Sequence, residues 1–181
     1  DVADFEKMYR IINNDPQNEI LWVPAAAVKK IQKARYAEMV LHEMWCVANL
    51  RIKSVEIQGD SAAVRFHHPE SRIQFEHPWP RPMVTKDGHN SAFYLTNAME
   101  LLDEPGEWYH DIESRKIYYY PRKGEKISKA VVPGIETLVW VEGTIDRPVK
   151  HIRFDNIAFQ YTTWMRPSLQ GHVPLQAGMY M

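Results

Sequence analysis

Cysteine is almost missing: Cys46 stands alone among 181 residues, so no internal disulfide can staple the fold. That speaks against a small disulfide-rich secreted module, although export itself needs no disulfide. Surplus charge is missing too. With 22 basic against 23 acidic residues the formal net charge is -1, and no basic run is longer than a pair such as Arg122-Lys123. A chain so balanced has no electrostatic footprint for nucleic acid or an anionic membrane. Apolar runs such as Ala25 to Val28 fall far short of the roughly 20 residues that span a bilayer. No Gly-x-Ser-x-Gly turn offers a serine nucleophile, and Cys46 sits between apolar neighbours. His42-Glu43-Met44-Trp45-Cys46 lacks the second histidine of a zinc-protease helix. His67, His68 and His77, with Glu70 and Glu76 between them, invite a metal. Adjacent histidines on a strand face opposite sides, however, so neither a metal nor another cofactor is expected.

What is present is an ordinary globular composition, 45% apolar and 25% charged, in a length that suits one large or two small domains. Asp4 to Ile12 and Pro24 to Ala34 read as short helices, the second with Pro24 in the first turn and Val28 and Ile31 on one face. Strands follow at Met39 to Ala48, Leu50 to Ile57 and Ala62 to Phe66, the last two joined into a hairpin by Gly59-Asp60. Asn97 reads as the cap of one helical turn, with Glu100 three residues on. Pro105-Gly106 predicts a type II turn, since proline fixes one central position and glycine permits positive φ at the next. Trp108 to His110 and Lys116 to Tyr120 make a second hairpin closed by Ile112 to Arg115.

The stretch from Glu136 to Trp164 has a different character. Leu138 to Val141 is a compact apolar run ended by Gly143, and Pro148 closes the next turn. In His151-Ile-Arg-Phe-Asp-Asn-Ile-Ala-Phe-Gln-Tyr161 the apolar positions are Ile152 and Phe154, then Ile157, Phe159 and Tyr161. Side chains on a strand alternate faces with period two, so this switch of parity would leave half of them in water on a straight strand. A corner at Asp155-Asn156 resolves the conflict, because both residues tolerate the left-handed conformation. Two short strands meeting at such a corner read as a parallel β-helix rung. A β-sandwich strand with a bulge at Asn156 gives the same pattern.

Leu101-Leu-Asp-Glu-Pro-Gly-Glu-Trp-Tyr109, then Lys116-Ile-Tyr-Tyr-Tyr-Pro-Arg-Lys-Gly-Glu125, resembles a signature of large bacterial right-handed parallel β-helix proteins classed as glycoside hydrolases. Val139-Trp-Val-Glu-Gly-Thr144 and the His151 to Trp164 stretch are similar to the place where such proteins begin their rungs, and Arg166-Pro167 and Leu175 to Gly178 continue the pattern. The resemblance runs from Met39 to Met181. It implies a mainly β chain: a sandwich-like domain with short N-terminal helices over residues 1–129, and the first rungs of a parallel β-helix over 130–181. It also implies an exported enzyme, secreted or periplasmic, whose catalytic carboxylates lie on later rungs. The start at Asp1 and the apolar C-terminal run from Val173 to Met181 suit a piece of a longer chain.

Glycoside hydrolysis generally needs two carboxyl groups, about 5 to 5.5 Å apart for retention or roughly 6.5 to 9.5 Å for inversion. Glu142, Asp146 and Asp155 are the carboxylates on or beside the expected rungs, but turn chemistry alone accounts for the two aspartates. Asp103, Glu104 and Glu107 flank a turn where solvated acids are common. Aromatic residues are the stronger lead. Six Trp and nine Tyr supply faces on which the C–H surface of a sugar can stack. Trp79, between two prolines, and Trp164, with Arg166 and His172 near it in sequence, are the candidate substrate-binding residues, whereas Trp108 and Trp140 read as core. The expected function is the N-terminal part of a glycoside hydrolase acting on a polysaccharide or oligosaccharide, with carbohydrate and the remainder of its own chain as partners. The alternatives are a non-catalytic carbohydrate-binding or interdomain module, and a β-helix polysaccharide lyase fragment. The lyase chemistry wants a basic catalytic residue and a cation beside an acidic sugar, for which no acidic cluster here looks suited.

Overall fold

A computed structural model describes residues 5–77, 79–163, 171–175 and 178–180. The chain divides into two units, Asp1–Glu125 with Pro167–Met181, and Lys126–Arg166. The larger is built on a mixed-length antiparallel sheet of β1 (Tyr9–Arg10), β2 (Asn13–Asp15), β3 (Ile20–Pro24), β4 (Glu38–His42), β5 (Val47–Gln58), β6 (Ser61–Phe66) and β7 (Ala92–Thr96), in the order β1-β7-β4-β5-β6-β3-β2.

The two outer strands of that order are consecutive in sequence. Tyr9 and Arg10 pair with Phe93 and Ala92, whereas Asn13 to Asp15 pair with Trp22 to Ile20. Between them, Ile11 N donates to Ser91 O at 3.0 Å and Ile12 N to Trp22 O at 2.6 Å. Tyr9 to Asp15 is therefore one bent strand bonded along both edges, and it closes the sheet on itself. Closure removes the exposed backbone edges that would template aggregation. It also corrects the expected helix over Asp4 to Ile12, which reduces to a single 3-10 turn at Phe5–Lys7. Pairing with β7 and β3 outweighs the local helical preference of that segment.

β5 belongs to both halves of the sheet. Its N-terminal part pairs with β4 and its C-terminal part with β6, and a bulge between Ile52 and Ser54 leaves Lys53 unpaired opposite Phe66 and Arg65. The inward positions accordingly change from Ala48, Leu50 and Ile52 to Val55 and Ile57. The expected strand Met39 to Ala48 is in fact two, because Glu43 to Cys46 turns the chain, Glu43 N donating to Cys46 O at 3.0 Å. One hydrophobic cluster draws on both halves, with Leu21, Met39, Leu41, Leu50, Val64 and Phe66 at its centre. The unit is thus mainly β and antiparallel, with few short helices, as expected. Val28, from α1 (Ala25–Val28), and Ile31 in the following turn are buried together, as their spacing predicts.

α2 (Glu70–Glu76) lies beyond β6, in a stretch without a helical expectation. Its Glu70 is held by Arg51, Nε donating to Oε1 at 2.6 Å and Nη2 to Oε2 at 2.9 Å. β8 (Trp108–Asp111) and β9 (Lys116–Tyr119) form a separate hairpin at the expected place. Glu107 N donates to Glu104 O at 3.2 Å with Gly106 at φ +101°, the predicted type II turn. Asn97 is not a cap. It has φ +58°, its side chain donates to Tyr36 O at 3.0 Å, and the 3-10 turn Met99–Leu101 begins after Ala98.

The described C-terminal residues return to the same unit. His172 exchanges backbone bonds with Asn49 at 2.8 and 2.9 Å, Val173 is buried in the core, and β10 (Val173–Leu175) pairs with β11 (Gly178–Tyr180). Gly171 sits at φ +75°, where an added Cβ would lie 2.8 Å from Asn49 O, so close approach and left-handed backbone coincide there.

In the smaller unit no strand or helix forms among the described residues. Its bends are nonetheless where the sequence puts them. Asn156 has φ +56°, and the rings of Phe154 and Phe159, on either side of that corner, meet edge to face at 5.4 Å. Thr144 and Arg147 exchange backbone bonds at 3.1 and 3.2 Å. Within this stretch Leu138 to Val141 and the 151–161 run lack ladder partners, and their apolar side chains are exposed, Trp140 to 76% and Ile157 to 60%, while Ile145 between the two runs is exposed completely.

Candidate functional site

Trp79 lines a cleft of the larger unit, of about 630 Å³. One wall is the turn between β4 and β5, contributing Met44. The other is the segment after α2, contributing Trp79, Arg81, Pro82, Met83 and Val84, and Asn13, Asn14, Gln74, Glu76 and His77 are among the remaining lining residues. Trp45, on the same turn as Met44, stacks on Trp79 with ring centroids 6.1 Å apart and planes 23° from parallel. The Arg81 guanidinium covers the same indole at 5.2 Å. Both tryptophans keep about half their surface in solvent, 53% for Trp45 and 42% for Trp79.

Hydrogen bonds hold the wall that carries Trp79. Asn14 Nδ2 donates to Pro82 O at 3.4 Å, Met83 N to Ser91 Oγ at 3.0 Å, and Thr85 N to Asn90 Oδ1 at 2.8 Å. Asn90 is itself fixed by donating to Ile11 O at 2.8 Å. The tryptophan is therefore presented by a loop anchored to the closing strand. Such anchoring lowers the ordering cost of binding.

Within the lining, the buried Gln74 is bonded to the half-buried Glu43 of the turn. Gln74 Nε2 donates to Glu43 Oε1 at 2.7 Å, and the Cys46 thiol donates to Glu43 Oε2 at 3.4 Å. Burial pushes the Glu43 carboxyl up to about 7 against the partial relief of those bonds. The Cys46 thiol is pushed up to about 12, first by burial and then by the neighbouring carboxylate. His77 is held below its ordinary value by burial.

The other predicted residues are placed as follows. His172 is 6% exposed on the returning segment, and Trp164 and Arg166 lie outside the described residues. Trp108 and Trp140 are not core residues, being 67% and 76% exposed, because the hairpin β8–β9 and the smaller unit turn them outward. Glu142 accepts from Trp140 Nε1 at 2.9 Å and Asp155 pairs with Arg153 at 2.5 Å, both on the surface. Asp103 pairs with Lys30, and Glu107 Oε2 accepts from the backbone of Asp103 and Glu104 at 3.1 and 3.0 Å, so that acidic cluster closes its own turn. His68 lies 3.5 Å from Glu19, and the His67 backbone donates to Arg51 O. Among the described residues no group of three or more His, Cys, Asp or Glu could hold a metal ion. No helix among them is long and apolar enough to cross a membrane. Trp45 and Gln74 were not legible as partners of Trp79, since only the fold brings the three together.

The larger unit is thus an antiparallel β domain with an aromatic cleft, followed in sequence by a strand-free stretch of exposed apolar residues. Residues 1–122 match the family model described as the GH141 insertion domain, and the chain belongs to that family. A solved structure described as a glycoside hydrolase is 70% identical, with a TM-score of 0.90 over 99% of this chain. The chain spans 32% of the length of that protein. No curated protein matches.

Proposed function

We propose that this chain is part of an exported bacterial glycoside hydrolase acting on a polysaccharide or oligosaccharide, with its principal catalytic carboxylates outside these residues. One observation carries the reading: near-complete similarity to about a third of a glycoside hydrolase, at 70% identity. Residues from 130 onward then begin a right-handed parallel β-helix. Their exposed apolar side chains and the Asn156 corner support this, since a first rung buries its inner face only when the next stacks on it. Adjacent strands lie about 4.8 Å apart, so carboxylates on neighbouring rungs reach the separations that glycoside hydrolysis uses. Trp79 contacts carbohydrate from the inserted domain, Trp164 and Arg166 are the further candidate contacts by sequence, and His172, 6% exposed, is the least accessible of the four.

The test compares the longer natural chain with residues 1–181 on aryl glycosides and polysaccharides. Turnover by the longer chain alone is expected. Turnover by the 181-residue chain that vanishes on Glu142→Gln or Asp155→Asn would overturn the reading. The exposed Trp45–Trp79 pair also favours a second reading, a carbohydrate-binding module without chemistry, which glycan binding together with an inactive longer chain would establish.

A further inference from the structure

We propose that the cleft between the Glu43–Cys46 turn and the Trp79–Val84 loop is a saccharide subsite of the inserted domain, taking a neutral sugar unit of a longer glycan. This rests on the glycoside hydrolase reading for the identity of the ligand class, but its evidence lies in the cleft. The first observation is aromatic. Two large indoles, each about half exposed, stand together at the rim of a walled cavity, in a loop bonded at several points to the barrel. A pyranose presents an apolar C–H face to such a ring while its equatorial hydroxyls point outward to polar partners.

The second observation concerns those partners. Buried polar atoms are nearly always hydrogen-bonded, and each exception asks for an occupant. Asn14 Oδ1, Gln74 Oε1 and both ring nitrogens of His77 are buried without a partner, and all three residues line this one cleft. Gln74 is wholly buried. Its amide cannot turn to relieve the vacancy without losing the 2.7 Å bond to Glu43, so the carboxylate fixes which atom remains open. Glu43 is thus a positioning residue for Gln74. Neutral His77 adds one N–H donor and one acceptor. Acceptors and donors in this mixture match hydroxyl groups, directly or through a water molecule.

Charge decides the sugar class. Arg81 is the cationic residue of the lining and is committed to the Trp79 face, and Glu76 opposes it while bonding Arg72 at 2.9 Å. Among the described lining residues no cationic cluster awaits a uronate, so a neutral sugar fits best.

The test uses the ¹⁵N-tryptophan-labelled 181-residue chain, titrated with cellohexaose, xylohexaose, mannohexaose and a hexagalacturonate while the indole N–H signals are followed. At least one neutral hexasaccharide is expected to shift the Trp45 and Trp79 signals saturably. Trp79→Ala should weaken that binding at least tenfold. Gln74→Leu removes the open acceptor together with the 2.7 Å bond to Glu43, so it should lower the melting temperature while weakening binding about tenfold at a temperature where the variant is still folded. No shift at either tryptophan with any of the four glycans would overturn the proposal, as would binding of the hexagalacturonate alone or full affinity in Gln74→Leu. The enzyme reading fails separately, through absence of turnover by the longer wild-type chain.

Discussion

Arg51 grips Glu70 with both ends of its guanidinium fork, at 2.6 and 2.9 Å, and its Nη2 also donates to His68 O at 3.0 Å. Glu70 keeps 1% of its side-chain surface and Arg51 30%, so the carboxylate is the desolvated partner. One residue thereby ties β5 to the first turn of α2 and to the connection leading into it.

The asymmetry predicts unequal effects of substitution. Arg51→Met strands a buried carboxylate and should cost about 3 kcal/mol, whereas Glu70→Gln keeps an acceptor for the fork and should cost roughly 1 to 2 kcal/mol. Urea denaturation of the two variants beside the parent measures both. Equal losses, or a loss under about 0.5 kcal/mol for Arg51→Met, would show that α2 is held by packing instead.

Glu43 makes a pH-dependent contribution whose sign follows from its shift. Burial raises the folded-state value from 4.5 to about 7, so between those limits the folded chain binds a proton that the unfolded chain has released. Its contribution is fully present below about pH 4.5 and is lost as pH rises through about 7. The lowered values of His42, His67 and His77 act the opposite way, their contribution being lost as pH falls through the folded-state values. A difference measurement isolates the carboxyl. The stability of Glu43→Gln relative to the parent should rise by about 2 kcal/mol between pH 4.5 and pH 8. A pH-independent difference would mean that Glu43 titrates normally.

Cys46 should be chemically quiet. With its thiol pushed up to about 12, the thiolate at pH 8 is scarce. Alkylation by iodoacetamide should run on the order of a thousandfold slower in the folded chain than in urea. Because Glu43 is a cause of that shift, Glu43→Gln should accelerate the reaction. Rapid labelling of the folded parent would refute this account.

The sequence made legible what is decided within a few residues. Pro105-Gly106 dictated its turn, Val28 and Ile31 their shared face, and Asp155-Asn156 the corner that brings Phe154 to Phe159. Closure of the sheet was not legible, because Tyr9 to Asp15 has no apolar alternation beyond Tyr9 and Ile11 and is made a strand by pairing with Phe93 and Trp22. The bulge at Lys53 did leave a signal, the apolar parity passing from Leu50 and Ile52 to Val55 and Ile57, the same kind of shift that marks Asn156. At the candidate site Trp79 stood out through its flanking prolines. Its partners Trp45 and Gln74 come from other elements, and a local pattern carries no trace of them.

Association of the 181-residue chain follows from the smaller unit. Ile145, Ile157, Phe154 and Phe159 expose 100%, 60%, 51% and 48% of their surface, and the neighbouring stretches lack ladder partners. Unpaired backbone beside apolar side chains templates self-association. Sedimentation of this chain should therefore show concentration-dependent oligomers, and Ile157→Lys combined with Phe159→Lys should shift it toward monomer. On the proposed reading, in which further rungs of a longer chain cover these residues, the double variant should lower the melting temperature of that longer chain instead of raising its solubility. A strictly monomeric 181-residue chain at high concentration would count against both the exposed rung and the β-helix that is proposed to cover it.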